Sequence, residues 1–150
     1  MIEVRPEPGD GEVAQALVSA MTAEMMGLYG MSEMPTPAAP DELGPPDGAF
    51  VVIYEDGEPV AGGGLKRLSA EAVEIKRMYV MPEARSRGHA RRLLAALEDA
   101  ARELGYEIAR LDTGPQQPHA RALYESAGYR SIPSYNGNEV ASYWGEKALR

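Results

Sequence analysis

The chain has 150 residues, of which 44% are hydrophobic and 25% are charged, and this length predicts a single domain spanning residues 1–150. It contains no cysteine, which excludes disulfide bonds, thiolate metal sites and a cysteine nucleophile. A net charge of −8 disfavours binding to nucleic acid through its phosphates, and the lack of a long apolar stretch or apolar signal core predicts a cytoplasmic protein without membrane contact.

The charges are unevenly distributed along the chain. Residues 1–48 contain nine acidic residues and one basic residue, so this segment alone carries a charge of −8. Residues 76–92 contain six of the fifteen Lys and Arg residues and a single acid, Glu83. A concentrated basic segment in an acidic protein indicates either a local anion site or a solvated helix face.

The first part of the chain is predicted to be a helix followed by a loop. Apolar residues recur on one face over residues 12–28, and Gly30 follows as a stop. Five of the twelve prolines fall within residues 31–48, which excludes a regular helix there. Methionines cluster around this junction, where they either fill the core or form a pliable acceptor pocket: Met21, Met25, Met26, Met31 and Met34.

Three strands are predicted next. Ala49–Tyr54 and Val60–Leu68 flank a short turn, which is typical of an antiparallel hairpin. The run Gly62 to Gly64 lies inside the second of these strands and predicts either a bulge or the close approach of another backbone. A third strand is predicted over Ala72–Met81, and Pro82 ends it.

A long amphipathic helix is predicted from about Ser86 to Leu104, with Gly105 as its stop. Glu107–Asp112 then has the pattern of a short strand. A strand, a long helix and a second strand in this order predict a right-handed crossover between parallel strands.

The end of the chain is predicted to hold one short helix and two strands. Pro118 begins the helix and Gly128 ends it. The strands are expected near Tyr129–Ile132 and Val140–Leu149, around an Asn136-Gly137 turn.

The start of the long helix is a candidate anion site. The first amides of a helix have no carbonyl partner and carry the positive end of the helix dipole. Gly88 and Ala90 leave room for a phosphate to approach this backbone, and three arginines add charge nearby: Arg85, Arg87 and Arg91. The glycine-rich motifs of a P-loop and of a dinucleotide fold are lacking, so the pattern favours a pyrophosphate held at this turn.

Three segments resemble the GNAT superfamily of acetyl-CoA-dependent N-acetyltransferases. They cover residues 75–82, residues 85–90 and residues 123–129. The family motif Gln/Arg-x-x-Gly-x-Gly/Ala is met by Arg85, Gly88 and Ala90. The resemblance implies a mixed α/β fold whose central sheet has six to seven strands, is splayed in the middle and is flanked by about four helices.

The resemblance also implies acetyl-CoA as cosubstrate and a set of residues that hold it. The pyrophosphate would lie on the amides of Arg87 to Arg91, and the pantetheine arm would pair along β-strand residues Met78, Tyr79 and Val80. The family often has Asn-x-x-Ala-x-x-x-Tyr at the short helix, and Gln117, Ala120 and Tyr124 have that spacing with glutamine in place of asparagine. The full predicted set is Met78, Tyr79, Val80, Arg85, Ser86, Arg87, Gly88, His89, Ala90, Arg91, Gln117 and Tyr124.

The implied reaction is direct attack of an amine on the thioester, and two side chains are assigned roles in it by the resemblance. Tyr124 would be the general acid beside the leaving sulfur, although its helical spacing also suits a core residue. Glu74 would be the base, acting through water, and Glu71 is the alternative base. Glu74 could also be simply a half-exposed strand residue without a catalytic role. A backbone N–H near Met78 would stabilise the oxyanion.

The acceptor is expected to be a primary amine of a small molecule or a peptide. In the GNAT superfamily, which the chain resembles, the first helices and the loop after them form the acceptor side. Here that region is acidic, which suggests a cationic acceptor. The alternative is that the negative charge only favours solubility. Two histidines, His89 and His119, are too few for a zinc site without cysteine, so no metal is expected. His89 is expected to face solvent beside the phosphate turn.

Two other functions remain open, as does the oligomeric state. A CoA-binding regulator without turnover would need Arg87 and Gly88 but not Tyr124. The triplet Asp112-Thr113-Gly114 matches that of aspartic proteases, in which a dimer pairs two such carboxylates. The strands near the end of the chain offer sheet edges, so a homodimer is expected to be possible.

Overall fold

The computed structural model describes residues 1–31 and 39–150 of the chain. Within these ranges the strands are β1 (Ile2–Pro6), β2 (Ala49–Glu55), β3 (Glu58–Arg67), β4 (Ala72–Val80), β5 (Ile108–Thr113), β6 (Arg130–Ser131) and β7 (Tyr143–Ala148). The helices are α1 (Glu12–Tyr29), α2 (His89–Glu103) and α3 (Pro118–Ser126), and short 3-10 helices cover Pro40–Leu43 and Pro82–Ala84. The predicted mixed α/β class and strand number are confirmed, with three α-helices in the described part of the chain where about four were expected.

All seven strands belong to one sheet in the order β1-β2-β3-β4-β5-β7-β6. Neighbouring strands are antiparallel except β4 and β5, which run parallel as the crossover through α2 requires. Only Ala72–Glu74 pairs with Ile108–Arg110, so the two strands separate beyond Glu74. This predicted splay leaves an opening in the middle of the sheet.

The two faces of the sheet support separate hydrophobic cores. α2 covers the larger core, to which β2 contributes Val51 and Ile53. α1 covers the smaller one through Leu17, which packs with Phe50 and Val52 of the same strand. Alternate residues of β2 thus point to opposite faces, and both sets are buried, which explains why this segment reads as a continuous apolar run.

The glycine run of β3 permits close packing on both faces of the sheet. A side-chain carbon on Gly62 would lie 2.7 Å from Leu17, and one on Gly63 would lie 3.1 Å from Met78. The register between β3 and β4 shifts at Gly63, and the extra residue belongs to β4, where Arg77 has a φ of 60°. The structure thus shows side chains packed closely against the glycines, where the sequence predicted the approach of another backbone, and the bulge is in the strand opposite the glycines.

Two element boundaries near the candidate site differ from the sequence prediction. α2 begins at His89 and not at Ser86, because Ser86 and Gly88 have φ values of 67° and 81°, which a right-handed helix cannot contain. The last two strands are shorter than expected, and Asn136-Gly137 does not close a two-residue hairpin. The side chain of Asn136 is instead drawn into hydrogen bonds with β4 and β5.

β1 was not predicted, because it lies at the edge of the sheet with every residue exposed and so has no apolar alternation. The predicted loop over residues 31–48 includes the 3-10 helix at Pro40–Leu43, while its residues 32–38, with Met34 among them, lie outside the described ranges. No helix in the described ranges has both the length and the apolar character needed to cross a membrane.

Candidate active site

The opening between β4 and β5 is a cavity lined by four helical or strand elements and one loop. Met21 and Met25 of α1 form one wall, and the bulge of β4 forms the next. Asp112 at the end of β5, Tyr124 of α3 and Asn138 from the loop before β7 complete it. The cavity therefore joins apolar, cationic, acidic and phenolic side chains at the point where the sheet separates.

Tyr124 and Met78, which the sequence placed in one site, meet in this cavity. Tyr124 is 7% exposed, and its hydroxyl lies 4.0 Å from the sulfur of Met78. Burial raises the pKa of the Tyr124 phenol, and the neighbouring Asp112 carboxylate raises it further. The phenol therefore keeps its proton at neutral pH and can donate a hydrogen bond into the cavity.

Glu74 is buried at the start of the splay and is held by several partners. Its carboxylate accepts hydrogen bonds from the hydroxyl of Tyr135 at 2.6 Å and from the side-chain amide of Asn136 at 2.9 Å, and its other oxygen lies 3.4 Å from the ammonium of Lys76. Glu71, the alternative base, is exposed and accepts a hydrogen bond from Ser69. Of the two, only Glu74 belongs to the buried polar cluster beside the cavity.

Asp112 is the second carboxylate of this cluster, and it lines the cavity. It accepts hydrogen bonds from the side-chain amides of Asn136 at 2.5 Å and Asn138 at 3.2 Å. The amide of Asn136 thus donates to Asp112 and Glu74 together, so the two carboxylates are coupled through one side chain.

Two cations of β4 face the same polar cluster. Burial lowers the pKa values of Lys76 and Arg77, and in each case Glu74 and Asp112 act in the opposite direction. The four charged groups therefore interact electrostatically in a region that is partly shielded from water. Within the described ranges, no three His, Cys, Asp or Glu side chains come together as metal ligands would.

The turn before α2 has the geometry of an anion site. Gly88 is the N-terminal cap residue in the left-handed region, and a side-chain carbon there would meet no atom within 4 Å. The first helical hydrogen bond is donated by Arg92 to the Gly88 carbonyl at 3.1 Å, so the amides of His89, Ala90 and Arg91 precede the first intrahelical donor. Open space and helix-start amides coincide at this turn, as a diphosphate requires.

Tyr79 and Arg85, both predicted to contact the cofactor, are tied together by Glu24 of α1. The Glu24 carboxylate accepts a hydrogen bond from the Tyr79 hydroxyl at 2.9 Å and two from the Arg85 guanidinium at 2.8 and 3.0 Å. Arg85 also donates to the Val80 carbonyl at 3.1 Å. These contacts fix the loop between β4 and α2 against α1, a link that no sequence pattern indicated.

The prediction that His89 faces solvent is wrong, because its side chain is 1% exposed. Its Nε2 lies 3.2 Å from the Glu55 carboxylate, and its Nδ1 lies 2.9 Å from the Arg92 guanidinium. Glu55 can only accept and Arg92 can only donate, so Nε2 carries the proton and Nδ1 accepts. Glu55 also binds Arg87 at 2.5 Å, and the turn is thereby anchored to the end of β2.

Replacing His89 by leucine is expected to lower the free energy of unfolding by about 2 kcal/mol, since the partly buried ends of Glu55 and Arg92 lose the ring that joins them. Chemical denaturation measures this loss. His119 is exposed, so His119→Leu is the matched control and is expected to change stability by less than about 0.5 kcal/mol. Equal midpoints for the two variants would show that the His89 contacts do not stabilise the fold.

The remaining predicted residues lie around the same region. Ser86 is exposed in the turn, and Arg91 donates to the hydroxyl of Ser126 at 2.8 Å, which joins α2 to α3. The side-chain oxygen of Gln117 accepts from Tyr29 at 3.2 Å and from Thr113 at 3.4 Å. Gln117 therefore links α1 to the end of β5 beside the cavity.

Sequence reasoning missed several polar residues of the site. Asp112 was considered only as part of a protease triplet, although its place at the carboxyl end of a strand beside a crossover was a usable signal. Glu24, Glu55 and Asn136 gave no such signal, because each reaches the site through contacts between distant parts of the chain.

Comparison with known proteins gives a consistent result. Residues 14–129 match the profile of the acetyltransferase (GNAT) family. The chain is 39% identical over 111 residues to IAA acetyltransferase of Azospirillum brasilense, covering 71% of this chain and 72% of that protein. It is 34% identical over 90 residues to YjgM of Escherichia coli (strain K12), an uncharacterised N-acetyltransferase, covering 58% of this chain and 54% of the relative, so it spans about half of that protein.

Solved structures have the same fold. A candidate acyl-CoA N-acyltransferase from Klebsiella pneumoniae superposes with a TM-score of 0.82 at 27% identity, covering 100% of this chain and 99% of that one. The PaiA N-acetyltransferase of Thermoplasma acidophilum, solved in complex with coenzyme A, gives a TM-score of 0.74 at 16% identity over 99% of both chains. The second likeness concerns the fold alone.

Proposed function

This chain belongs to the GNAT family of acetyltransferases, and from that premise we propose that it transfers the acetyl group of acetyl-CoA to a primary amine by direct attack. The observation that carries the proposal is the opening between β4 and β5. It has a buried, protonated phenol on one side, and the strand that borders it is followed, after the turn of residues 81–88, by the helix-start amides of α2. A thioester that carries a diphosphate needs both features.

We propose that acetyl-CoA is held by the residues expected from the sequence. The amides at the start of α2 and the open space at Gly88 suit the diphosphate, and Arg87 and Arg91 add positive charge. The backbone edge of β4 beyond Glu74 suits the pantetheine arm, because it is not paired with β5 there. Arg85 and Tyr79 support this loop through Glu24.

The reaction balances without any covalent intermediate on the protein. The amine nitrogen bonds to the acetyl carbon, the carbon–sulfur bond breaks, the amine loses one proton, and CoA leaves as a thiolate. Tyr124 donates a hydrogen bond to the sulfur as its charge develops, and the amide of Met78, taken out of register by the bulge, stabilises the oxyanion. Since the chain has no cysteine, a thiol-bound acetyl intermediate is impossible.

We propose that the amine proton passes to the coupled carboxylates Glu74 and Asp112. Glu74 remains the predicted base and is reached through water, while Asp112 lies at the cavity wall, nearer the acceptor. The hydrogen bonds from Asn136 hold the two groups in a fixed relation. Asp112, which the sequence suggested as part of an aspartic-protease triplet, thereby has a role in acetyl transfer instead.

The acceptor expected from the acidic segment is a cationic amine. Among the described residues, three acids of that segment pair with side chains that do not line the cavity: Glu24 binds Arg85, Glu42 lies 3.7 Å from Lys66, and Asp47 lies 3.5 Å from Arg67. Asp112, from another part of the chain, is the acid that lines the cavity among the described residues. The support for a positively charged amino group thus rests on Asp112.

The proposal is tested by release of free CoA from acetyl-CoA in the presence of a panel of primary amines. Because the chain has no cysteine, a thiol reagent reports CoA alone. We expect saturation by both substrates and intersecting initial-rate patterns, since direct attack requires both to be bound together. Parallel patterns would contradict direct attack, and CoA binding by calorimetry without turnover on any amine would favour the CoA-binding regulator.

Three further predictions from the sequence are kept as proposals: a single domain over residues 1–150, a cytoplasmic location and the formation of a homodimer.

A further inference from the structure

The polar cluster at the cavity has a balanced set of charges. Lys76, Arg77 and Asp112 line the cavity and Glu74 lies beside it, so two cations are matched by two carboxylates. Glu74 is 4% exposed and Lys76 is 8% exposed, while Arg77 and Asp112 are partly buried, so water compensates an additional charge here less than it would at the surface. An acceptor that brings a net charge here would have to leave it unbalanced, whereas a zwitterion would preserve the balance.

The cavity also has an apolar and adaptable lining. Met21 and Met25 of α1 contribute to it, together with Met31 and with Val140 of the loop before β7. Methionine side chains are flexible and polarizable, so they accommodate an apolar group of variable shape. The acceptor therefore needs an apolar part as well as charged groups.

We propose that the acceptor is an α-amino acid with an apolar side chain; this rests on the proposed function and narrows it. Asp112 receives the amino group, Arg77 receives the carboxylate, and the methionines of α1 receive the side chain. Arg77 is better suited than Lys76, because a guanidinium has five donors in a planar fork and can serve several carboxylates at once, whereas an ammonium is a compact point charge.

The bulge of β4 explains why Arg77 can do this. With a φ of 60°, Arg77 departs from the alternation of the strand, and it lines the cavity next to both Lys76 and Met78. Glu74 and Asp112 both act electrostatically on its guanidinium, which therefore lies close to the two carboxylates. In a regular strand, three successive residues could not all face one cavity.

The test compares pairs of acceptors that differ only in the carboxylate: L-methionine against L-methioninamide, and L-leucine against L-leucinamide, with acetyl-CoA and purified full-length protein. We expect kcat/KM to be about ten-fold or more higher for the free amino acids, which corresponds to about 1.4 kcal/mol. The amide has the amine of lower pKa and hence more of the reactive neutral form, so this bias acts against the expected result.

The variant Arg77→Gln is expected to bring the ratio of the two kcat/KM values close to one, because glutamine keeps length and polarity but not charge. Arg121→Gln is the matched control, since Arg121 is about half exposed and pairs with Glu125 on the surface of α3; the ratio should stay as in the unmodified protein. A ratio that persists in Arg77→Gln would overturn the role of Arg77.

The outcomes separate this inference from the proposed function. Turnover of the amides or of spermidine at rates equal to or above those of the amino acids would overturn the zwitterionic acceptor and leave the acetyltransferase intact. A lack of CoA release with every amine would instead refute the proposed function, and with it this narrower inference.

Discussion

Tyr124→Phe is expected to lower kcat by about ten-fold or more while the dissociation constant of CoA changes by less than about two-fold. The side chain is buried beside Met78, and phenylalanine keeps its volume, so the fold and the cofactor site should be unaffected. Only the hydroxyl is lost, and with it the hydrogen bond to the departing sulfur. Rates are measured by CoA release and affinity by calorimetry.

The electrostatics of the cavity indicate that the Tyr124 hydroxyl acts in its protonated state. Burial and the Asp112 carboxylate raise the pKa of Tyr124, so the phenol stays protonated from acidic to neutral pH and well beyond. A raised pKa means that its contribution to the rate is present at low pH and is lost only when the pH exceeds that raised value. The pH profile of kcat should therefore show no loss of Tyr124 function near its ordinary value of about 10.

Tyr143→Phe is the matched control for this experiment. Tyr143 is also buried and lies near enough to Tyr124 to raise its pKa, yet its hydroxyl has no hydrogen-bond partner among the described residues. Removing it should leave kcat within about two-fold and should not destabilise the protein, because no satisfied hydrogen bond is broken. If both variants lose rate equally, packing and not the Tyr124 hydroxyl is responsible, and if neither loses rate, Tyr124 is a core residue.

The central elements of the fold could be predicted because their patterns are local. The apolar stripe of α2 and the stops on either side of it give both the helix and the crossover, and the glycines of β3 give the close packing against α1 and α2. β1 could not be found in this way, since an exposed edge strand is specified by its hydrogen bonds to β2 and not by its own pattern.

The candidate site was predictable to the extent that it depends on backbone geometry. Gly88 and Ala90 indicated the turn before α2, and the structure places helix-start amides and open space there. His89 shows the limit of this reasoning: its neighbours in sequence are polar, but a partner from β2, Glu55, and a buried setting decide its orientation. The charged wall of the cavity likewise results from the bulge at Arg77 and the loop at Asn136, both of which require tertiary contacts.

Ala90→Glu is expected to weaken the binding of acetyl-CoA by about 100-fold or more, equivalent to about 2.7 kcal/mol, without lowering the stability of the free protein. Ala90 is the second residue of α2, so the new carboxylate would stand among the amides that the diphosphate needs and would repel its charge. The first turn of α2 has no acidic residue, and an acid at a helix start interacts favourably with the dipole. The affinity for acetyl-CoA should therefore fall while the thermal stability of the free protein does not.

Ala95→Glu provides the comparison that makes this result decisive. Ala95 is exposed on the same helix, about 7.5 Å further along its axis, so the variant has the same added charge at a distance from the turn. It should retain acetyl-CoA binding within about three-fold, because a carboxylate more than one helical turn away does not stand among the first amides and interacts with the diphosphate only through solvent. Equal affinities for the two variants would mean that the start of α2 does not hold the diphosphate, and the opening between β4 and β5 would then lack the anchor that its use as an acetyl-transfer site requires.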